Sequence, residues 1–460
     1  MIEWSFIQEC LRYFKFGDDF VKWVSILYNN SNACVINNGH STGYFQVSRG
    51  VRQGCPLSPY LFILCAEVLA LRILHCNDIR GIRIDAYEYK ILQYADDTAF
   101  VLDNCIASLQ KVFDILNEFK AASGLSINVT KSILFPLGPL AQNWPFLSFN
   151  EISISNGPIS YLGVSFTNNR KDLFELNYPP KLSRLKNCLR SWSMRDMTPI
   201  GRNIIVKTFG LSQLVFLFLV LPSPPASFIK EVEKAIYDFI WCGSTEKVKR
   251  NTMINNYCDG GLKVVHIESF IKSLKCSWAR RYLIDNKSPW KVFFSRILKP
   301  YGCELFFRCN CNKRDIRLPK LNFISQVIEA WCEVSYTSPL ENFGHQVIWN
   351  NSHIKVNGNV VFYECLYKKG ILMVKDLFDH NHRPYNFATF IQVYDLQGFS
   401  FIHYWGLIKA IPSHWRNTLN NDEDCPRANA PFLQKVMNCV SVSRFVYPII
   451  LKNVSAPATS

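Results

Sequence analysis

The sequence predicts an α+β fold. Helical periodicity alternates with hairpin signals over residues 1–166, the pattern turns helical from Lys181, and beyond residue 300 the elements become short and aromatic-rich. With 460 residues, two or three domains with sizeable cores are expected, and 48% hydrophobic and 14% aromatic residues exclude a disordered chain. We divide the chain into 1–166, helices with an antiparallel sheet; 167–290, a helical basic region; and 291–460, a mixed C-terminal region whose chemistry the residues do not name.

Residues 2–14 read as an amphipathic helix, with Trp4, Ile7, Leu11 and Phe14 at helical spacing and Gly17 ending it. Asp18 and Asp19 are candidate caps for the next helix, Phe20 to Leu27. An extended segment from Ala33 to Ile36 turns at Asn37-Asn38-Gly39 and returns through Tyr44 to Val47. In Gly50-Val51-Arg52-Gln53-Gly54-Cys55-Pro56-Leu57-Ser58-Pro59, the glycines let backbone approach a ligand closely. Ser58 is a good N-cap and Pro59 a good first helical residue, so a helix runs from there to about Leu74. Such a loop-to-helix junction suits phosphate, and taken alone it suits a plain turn before a core helix equally.

Next, Tyr89 to Leu102 favours strand on both sides of Asp96-Asp97. Two ionised carboxylates do not belong inside an apolar sheet, so they are placed at a hairpin tip. Held close, they call for a counter-charge, and a divalent metal is the natural one; for these four residues alone, a solvated Asp-Asp turn is the stronger alternative. Ser108 to Ser123 is a helix stopped by Gly124, and 125–132 reads as turn and strand. Asn156-Gly157, between Ile152-Ser153-Ile154 and Ile159 to Val164, reads as a hairpin turn.

From Lys181, the residues Leu182, Leu185, Leu189 and Trp192 form one helical face, flanked by Lys181, Arg184, Lys186 and Arg190. Thr198-Pro199 opens a second helix that carries Arg202 and Lys207 and continues into the apolar run 214–221, which Pro222, Pro224 and Pro225 end. A third helix spans about Phe228 to Trp241, and 270–284 is helical. Solvated basic faces on a helical bundle explain these charges as well as a nucleic-acid grip does, on sequence pattern alone.

The net charge is +15, unevenly spread. Residues 1–166 carry 12 Lys/Arg against 14 Asp/Glu, 167–290 carry 20 against 10, and 291–460 carry 19 against 12. A near-neutral first part joined to a basic remainder suits a metal-centred site beside a polyanion-holding surface. Seventeen scattered cysteines read as reduced thiols in cytosol or nucleus rather than a secreted disulfide framework, and Cys303, Cys309 and Cys311 lack the histidines of a zinc finger. No signal peptide is read at the N-terminus, and the apolar run 214–221 is too short to span a bilayer.

Gly50 to Phe62, Tyr94-Ala95-Asp96-Asp97, Ser123 to Asn128 with Lys131-Ser132, and Tyr161-Leu162-Gly163 together resemble the ordered motifs of reverse transcriptases of the LINE-type, non-LTR retrotransposon class. Trp192 to Arg195, Gly201-Arg202, Ile205 to Thr208 and Phe239 to Gly243 resemble the thumb of that class. The resemblance implies a partial right-hand polymerase palm in 1–166, followed by an α-helical thumb. It implies RNA-directed DNA polymerase activity on an RNA template and DNA primer with deoxynucleoside triphosphates. Asp96 and Asp97 match the carboxylates that bind two magnesium ions, and Lys131 a lysine near the leaving phosphates. Arg52, Gln53 and Gly54 match the segment around the incoming nucleotide and template base, and Tyr161, Leu162 and Gly163 the primer grip. Arg184, Lys186, Arg190, Arg202 and Lys207 would hold the duplex by its backbone.

The family's further metal-binding aspartate stands on a strand before the helix that begins here at Ile2. By this reading that strand and the fingers lie upstream of Met1, and the chain is N-terminally truncated and expected to polymerise little or not at all. The alternative is a non-catalytic remnant that binds RNA or an RNA–DNA duplex.

Overall fold

A computed structural model describes residues 1–103, 105–138, 148–284, 288–319, 323–336, 343–418 and 431–455. It is about 55% helical with small, mostly antiparallel sheets, so the α+β expectation holds. The chain forms two compact units, Met1–Arg170 and Lys171–Ser460.

In the first unit, α1 (Trp4–Tyr13) buries Phe6, Ile7, Cys10 and Leu11. Gly17 does not end it. Phe14 is its C-cap, Lys15 turns the chain at φ 59, and Gly17 is the N-cap of α2 (Asp18–Tyr28). Asp18 and Asp19 therefore lie inside the first turn of α2, where carboxylates oppose the positive end of the helix dipole. Strands β1 (Asn32–Ala33), β2 (Ile36–Asn37), β3 (His40–Ser41) and β4 (Phe45–Gln46) form one nested hairpin, β2 with β3 and β1 with β4, turning at Asn38-Gly39 with both φ positive. Helix α3 (Ser58–Leu74) is capped by Leu57, one residue earlier than the expected Ser58, whose hydroxyl is buried 3.4 Å from that of Tyr28.

Two hairpins follow: β5 (Ile82–Ile84) with β6 (Tyr87–Tyr89), and β7 (Ile91–Tyr94) with β8 (Asp97–Phe100). Only glycine fits at 81, because an added Cβ would meet the Tyr89 carbonyl oxygen at 2.1 Å. Helix α4 (Ile106–Ser123) ends at Gly124 (φ 74), as expected. Strands β9 (Ile133–Leu134), β10 (Ser148–Phe149) and β11 (Ile152–Ile154) make a three-stranded sheet, and β12 (Ile159–Tyr161) pairs with β13 (Val164–Phe166).

The hairpin expected at Asn156-Gly157 is corrected. β11 pairs with β10 and, in parallel, with β9, but not with β12. The tight turns are Asn150-Glu151 and Leu162-Gly163, where both φ are positive, as a type I′ turn requires. Neither Asn156 nor Gly157 has positive φ, and Pro158 offers no amide to a ladder. The expected antiparallel sheet is likewise several short ladders, with one parallel pair.

In the second unit, α5 (Leu173–Ser193) starts well before Lys181 and runs through Pro179 and Pro180. Tyr178, 2% exposed, gives its hydroxyl to the Pro222 carbonyl at 2.8 Å, and its packing offsets the backbone bonds the prolines forgo. The expected single second helix is three pieces: α6 (Pro199–Ile205), a π-helical turn (Val206–Gly210) and α7 (Ser212–Val220), bent by 50°. The register shift is explicit in the Leu211 amide bonding to the Val206 carbonyl at 2.7 Å, and Gly210 packs directly on Leu189. Helices α8 (Ala226–Ile240), α9 (Arg250–Ile254), α10 (Ile267–Leu283), α11 (Lys291–Leu298) and α12 (Phe323–Tyr336) follow. Beyond them lie a small β14 (Lys355–Val356)–β15 (Asn359–Val360) pair and helices from α13 (Glu364–Lys368) through α14 (Phe387–Tyr394), α15 (Phe401–Ala410), α16 (Ser413–Thr418) and α17 (Pro431–Asn438) to α18 (Val442–Ser455).

One core cluster joins Cys276 and Tyr282 of α10 to Trp331 of α12 and Val446 and Ile450 of α18. Residues before and after 290 therefore share a core, and the boundary placed there does not divide this unit. Among the described residues no single helix is long and apolar enough to cross a membrane.

Candidate active site and nucleic-acid surface

The Asp96-Asp97 stretch sits where its sequence places it, at a hairpin tip. Tyr94 pairs with Asp97 across a two-residue turn of Ala95 and Asp96. The root is anchored: Ile91 and Phe100 face each other and pack against Ile73 of α3 and Val112 of α4. Buried Lys90 adds a tie by donating to the Leu74 and Cys76 carbonyls, at 3.3 and 2.9 Å, past the end of α3. Ala95 holds φ 52, a left-handed conformation that costs a residue with a Cβ about 1 kcal/mol or more. Both carboxylates are exposed, and among the described residues neither has an ion-pair partner.

Beside the tip lies an open cavity of about 760 Å³, lined by Arg52, Gln53, Gly54 and Cys55, by Phe62 and Glu67 of α3, and by Gln93, Tyr94 and Ala95. The sequence-predicted nucleotide segment and the hairpin therefore share one concave surface. Gly54 has φ 82 with nothing within 4 Å of an added Cβ, so its glycine serves the backbone turn rather than a tight contact. Tyr161 belongs to the same neighbourhood: partial burial, and then the Asp97 carboxylate, push its hydroxyl pKa up. Leu162 and Gly163 are its turn, at φ 49 and 78.

Lys131 stands in a turn built by Asn128, whose side-chain oxygen accepts from the Lys131 amide at 3.2 Å and the Thr130 hydroxyl at 2.7 Å. Its side chain is exposed, and no contact among the described residues joins it to Asp96 or Asp97.

Sequence reasoning passed over Cys55 as a functional group. Amides of Leu57 and Ser58 at the start of α3, the Ser58 hydroxyl and Arg52 hold its thiol below the usual range. Cys105 is lowered in the same way by the Ser108 and Ala107 amides but lies away from the cavity lining. A lowered pKa enlarges the thiolate fraction at neutral pH. Iodoacetamide at pH 7 is thus expected to modify Cys55 and Cys105 before buried Cys65, and dTTP with Mn²⁺ to protect Cys55 alone. Equal protection of both thiols, read by peptide mass spectrometry, would remove the cavity as a nucleotide site.

In the second unit, Arg184 and Arg190 are exposed along α5, while Lys186 is paired with Glu231 of α8. Lys186 and Arg190 border a groove of about 380 Å³ together with Lys234, Glu231 and Asp238, so its charges nearly balance. Arg202 is a correction to the expected backbone contacts. It is 5% exposed, donates to the carbonyls of Phe239, Met197 and Arg195 at 3.1, 3.3 and 3.4 Å, and lies 5.1 Å from the Phe239 ring centre, so it packs α6 against α8. Lys207 is half-buried in the π-helical turn, with its pKa pushed down by burial and then by Lys263.

Residues 1–166 match the family described as reverse transcriptase (RNA-dependent DNA polymerase). Among curated relatives, an uncharacterized 149 kDa protein of transposon TX1 from Xenopus laevis is 27% identical over 296 residues, covering 63% of this chain and 22% of that protein. A retrovirus-related Pol polyprotein from a type-2 retrotransposable element of Drosophila melanogaster is 26% identical over 251 residues, 51% of this chain and 22% of its own length. An uncharacterized mitochondrial protein of Arabidopsis thaliana is 48% identical over 69 residues, covering 14% of this chain and 57% of that protein. Residues 1–166 thus match a reverse transcriptase domain, and the relatives named as transposon and retrotransposable-element proteins support a LINE-type, non-LTR reverse transcriptase. The chain spans less than a quarter of the length of the Xenopus and Drosophila proteins.

Proposed function

We propose that the first unit is the palm portion of an RNA-directed DNA polymerase and that the second holds the template–primer by its backbone. The observation that carries this reading is the exposed carboxylate pair on an anchored hairpin, beside a cavity bearing Arg52, Gln53 and Gly54.

The donor set fits magnesium: Asp96 and Asp97 offer hard oxygen ligands with no competing cation among the described residues, and substrate phosphates and water supply the remaining positions. Bound there, two such ions would lower the pKa of the primer 3′-hydroxyl and neutralise charge on the leaving pyrophosphate. The chain's own part is positioning. The hairpin fixes the carboxylates, Gly54 and Gln53 present backbone and amide to the nucleotide, Arg52 adds positive charge, and Tyr161-Leu162-Gly163 supports the primer end.

Among the described residues no group of three His, Cys, Asp or Glu side chains is placed to hold a metal ion. Two carboxylates without a third ligand leave the metal pair loosely held, so we expect this polypeptide by itself to be slow by orders of magnitude. Primer extension on poly(rA)–oligo(dT) is expected to give trace incorporation, higher with Mn²⁺ than with Mg²⁺. Robust incorporation with Mg²⁺ would sink the claim of slowness. Incorporation unaffected by Asp96→Asn would sink the site. The second reading, non-catalytic binding of RNA or an RNA–DNA duplex, rests on the charge of 167–290, which is 20 basic against 10 acidic residues.

A further inference from the structure

A loop 56 residues beyond Lys207 in sequence lies against the same helix. Asn203 of α6, 1% exposed, donates its amide to the Leu262 carbonyl at 2.6 Å. Lys207 follows Asn203 by one helical turn, and Lys263 follows Leu262, so the contact sets the two lysines in one neighbourhood, near enough for the charge of Lys263 to act on Lys207. The loop is tightly built. At Gly261 an added Cβ would meet the Asn255 carbonyl oxygen at 2.1 Å and that of Thr252 at 2.6 Å. Lys263 is held at φ 55 by its own amide bonding to Asn255 at 2.9 Å, and its ammonium lies 5.2 Å from the Tyr257 ring centre.

Like charges brought together cost energy unless an anion joins them. Among the described residues neither lysine has an ion-pair partner. Lys207 bears the cost: it loses proton affinity to burial and then to Lys263. The backbone carrying Lys207 is π-helical, a deviation that recurs at functional sites. Two residues on, exposed Phe209 stacks on Trp192 at 5.4 Å, and Arg195 lies 4.4 Å over that indole, also without an ion-pair partner among the described residues. By contrast, the groove between α5 and α8 has its cations opposed by Glu231 and Asp238.

We propose that Lys207 and Lys263, set side by side by the Asn203–Leu262 contact, form a phosphate-binding pair for the backbone of a nucleic-acid duplex, with Arg195 extending the same patch. This deepens the reading of the second unit as the duplex-holding part and rests on it. It moves the grip from the α5 stripe to the π-helical turn and the Gly260–Lys263 loop.

The test is binding of the full 460-residue protein to a labelled RNA–DNA duplex between 50 and 300 mM salt, comparing wild type with Lys263→Gln, Lys263→Arg, Lys207→Gln and the double change Arg184→Gln/Arg190→Gln. Lys263 is exposed and carries no ion pair, so its glutamine variant should keep the fold. Lys263→Gln and Lys207→Gln are each expected to weaken binding about tenfold at 0.1 M salt and to lower the log–log salt slope by about 0.9, one phosphate contact apiece. Lys263→Arg is expected to retain wild-type affinity. If wild type binds and Lys263→Gln matches it in affinity and slope, the cation pair is overturned while the duplex-holding reading stands, and the α5 variant then shows whether the stripe carries the contact. If wild type does not bind duplex at any salt, that reading fails and takes the pair with it.

Discussion

Asparagine at Asp96 is expected to reduce templated incorporation with Mn²⁺ at least a hundredfold, to the assay background. Asparagine keeps the size of the side chain and removes its charge. Asp96 is exposed at a turn, so its loss costs the fold little. The effect therefore falls on metal binding, and a hundredfold is about 2.7 kcal/mol of transition-state stabilisation. Asp97→Asn is expected to act alike, and the double change to be no worse than either single one, because residues that act as one unit are not additive. Ala95→Gly provides the contrast. It relieves the left-handed φ 52 without touching a carboxylate, so it should leave incorporation within a few-fold of wild type.

Arg202→Met is expected to destabilise the second unit by about 3 kcal/mol, a fall of roughly 6–12 °C in melting temperature for a unit of this size. The guanidinium bonds to three carbonyls, at Phe239, Met197 and Arg195, and methionine leaves the buried Phe239 carbonyl and the two part-buried ones without this donor. Below the transition, duplex affinity should be unchanged, because Arg202 is only 5% exposed and its guanidinium is bonded to backbone carbonyls. A variant with wild-type stability and weakened binding would return Arg202 to the nucleic-acid surface. Thermal denaturation and a salt titration on the same sample separate the two outcomes.

What the sequence revealed depended on how far apart the interacting residues lie. The Asp96-Asp97 hairpin was legible because its signal is local: strand formers on both sides and charges that no apolar sheet accepts. The neighbourhood of that tip with Gln53 and Gly54 came through a resemblance, since no local pattern links residues 40 apart. Local chemistry also misled. Asn156-Gly157 has the composition of a type I′ turn, yet Leu162-Gly163 makes the turn, because Pro158 denies the first a ladder and β11 finds its partners in β9 and β10. The periodicity of Leu182, Leu185, Leu189 and Trp192 placed the helix from Lys181, but α5 starts at Leu173 and runs through Pro179 and Pro180, with Tyr178 packed beside them. Arg202 reads from sequence like any other cation on a basic helix, and only its burial shows that it holds α6 to α8. Lys263 gave no signal, because its place beside Lys207 is set by a contact between residues 59 apart, Asn203 and Leu262.

Binding of Mn²⁺ to the wild-type protein and to Asp96→Asn/Asp97→Asn, followed by electron paramagnetic resonance in the presence of a deoxynucleoside triphosphate, tests the metal-holding role of the hairpin most directly, independent of turnover. The account predicts protein-bound Mn²⁺ in wild type and its loss in the double variant. Equal Mn²⁺ binding by the two proteins would contradict it.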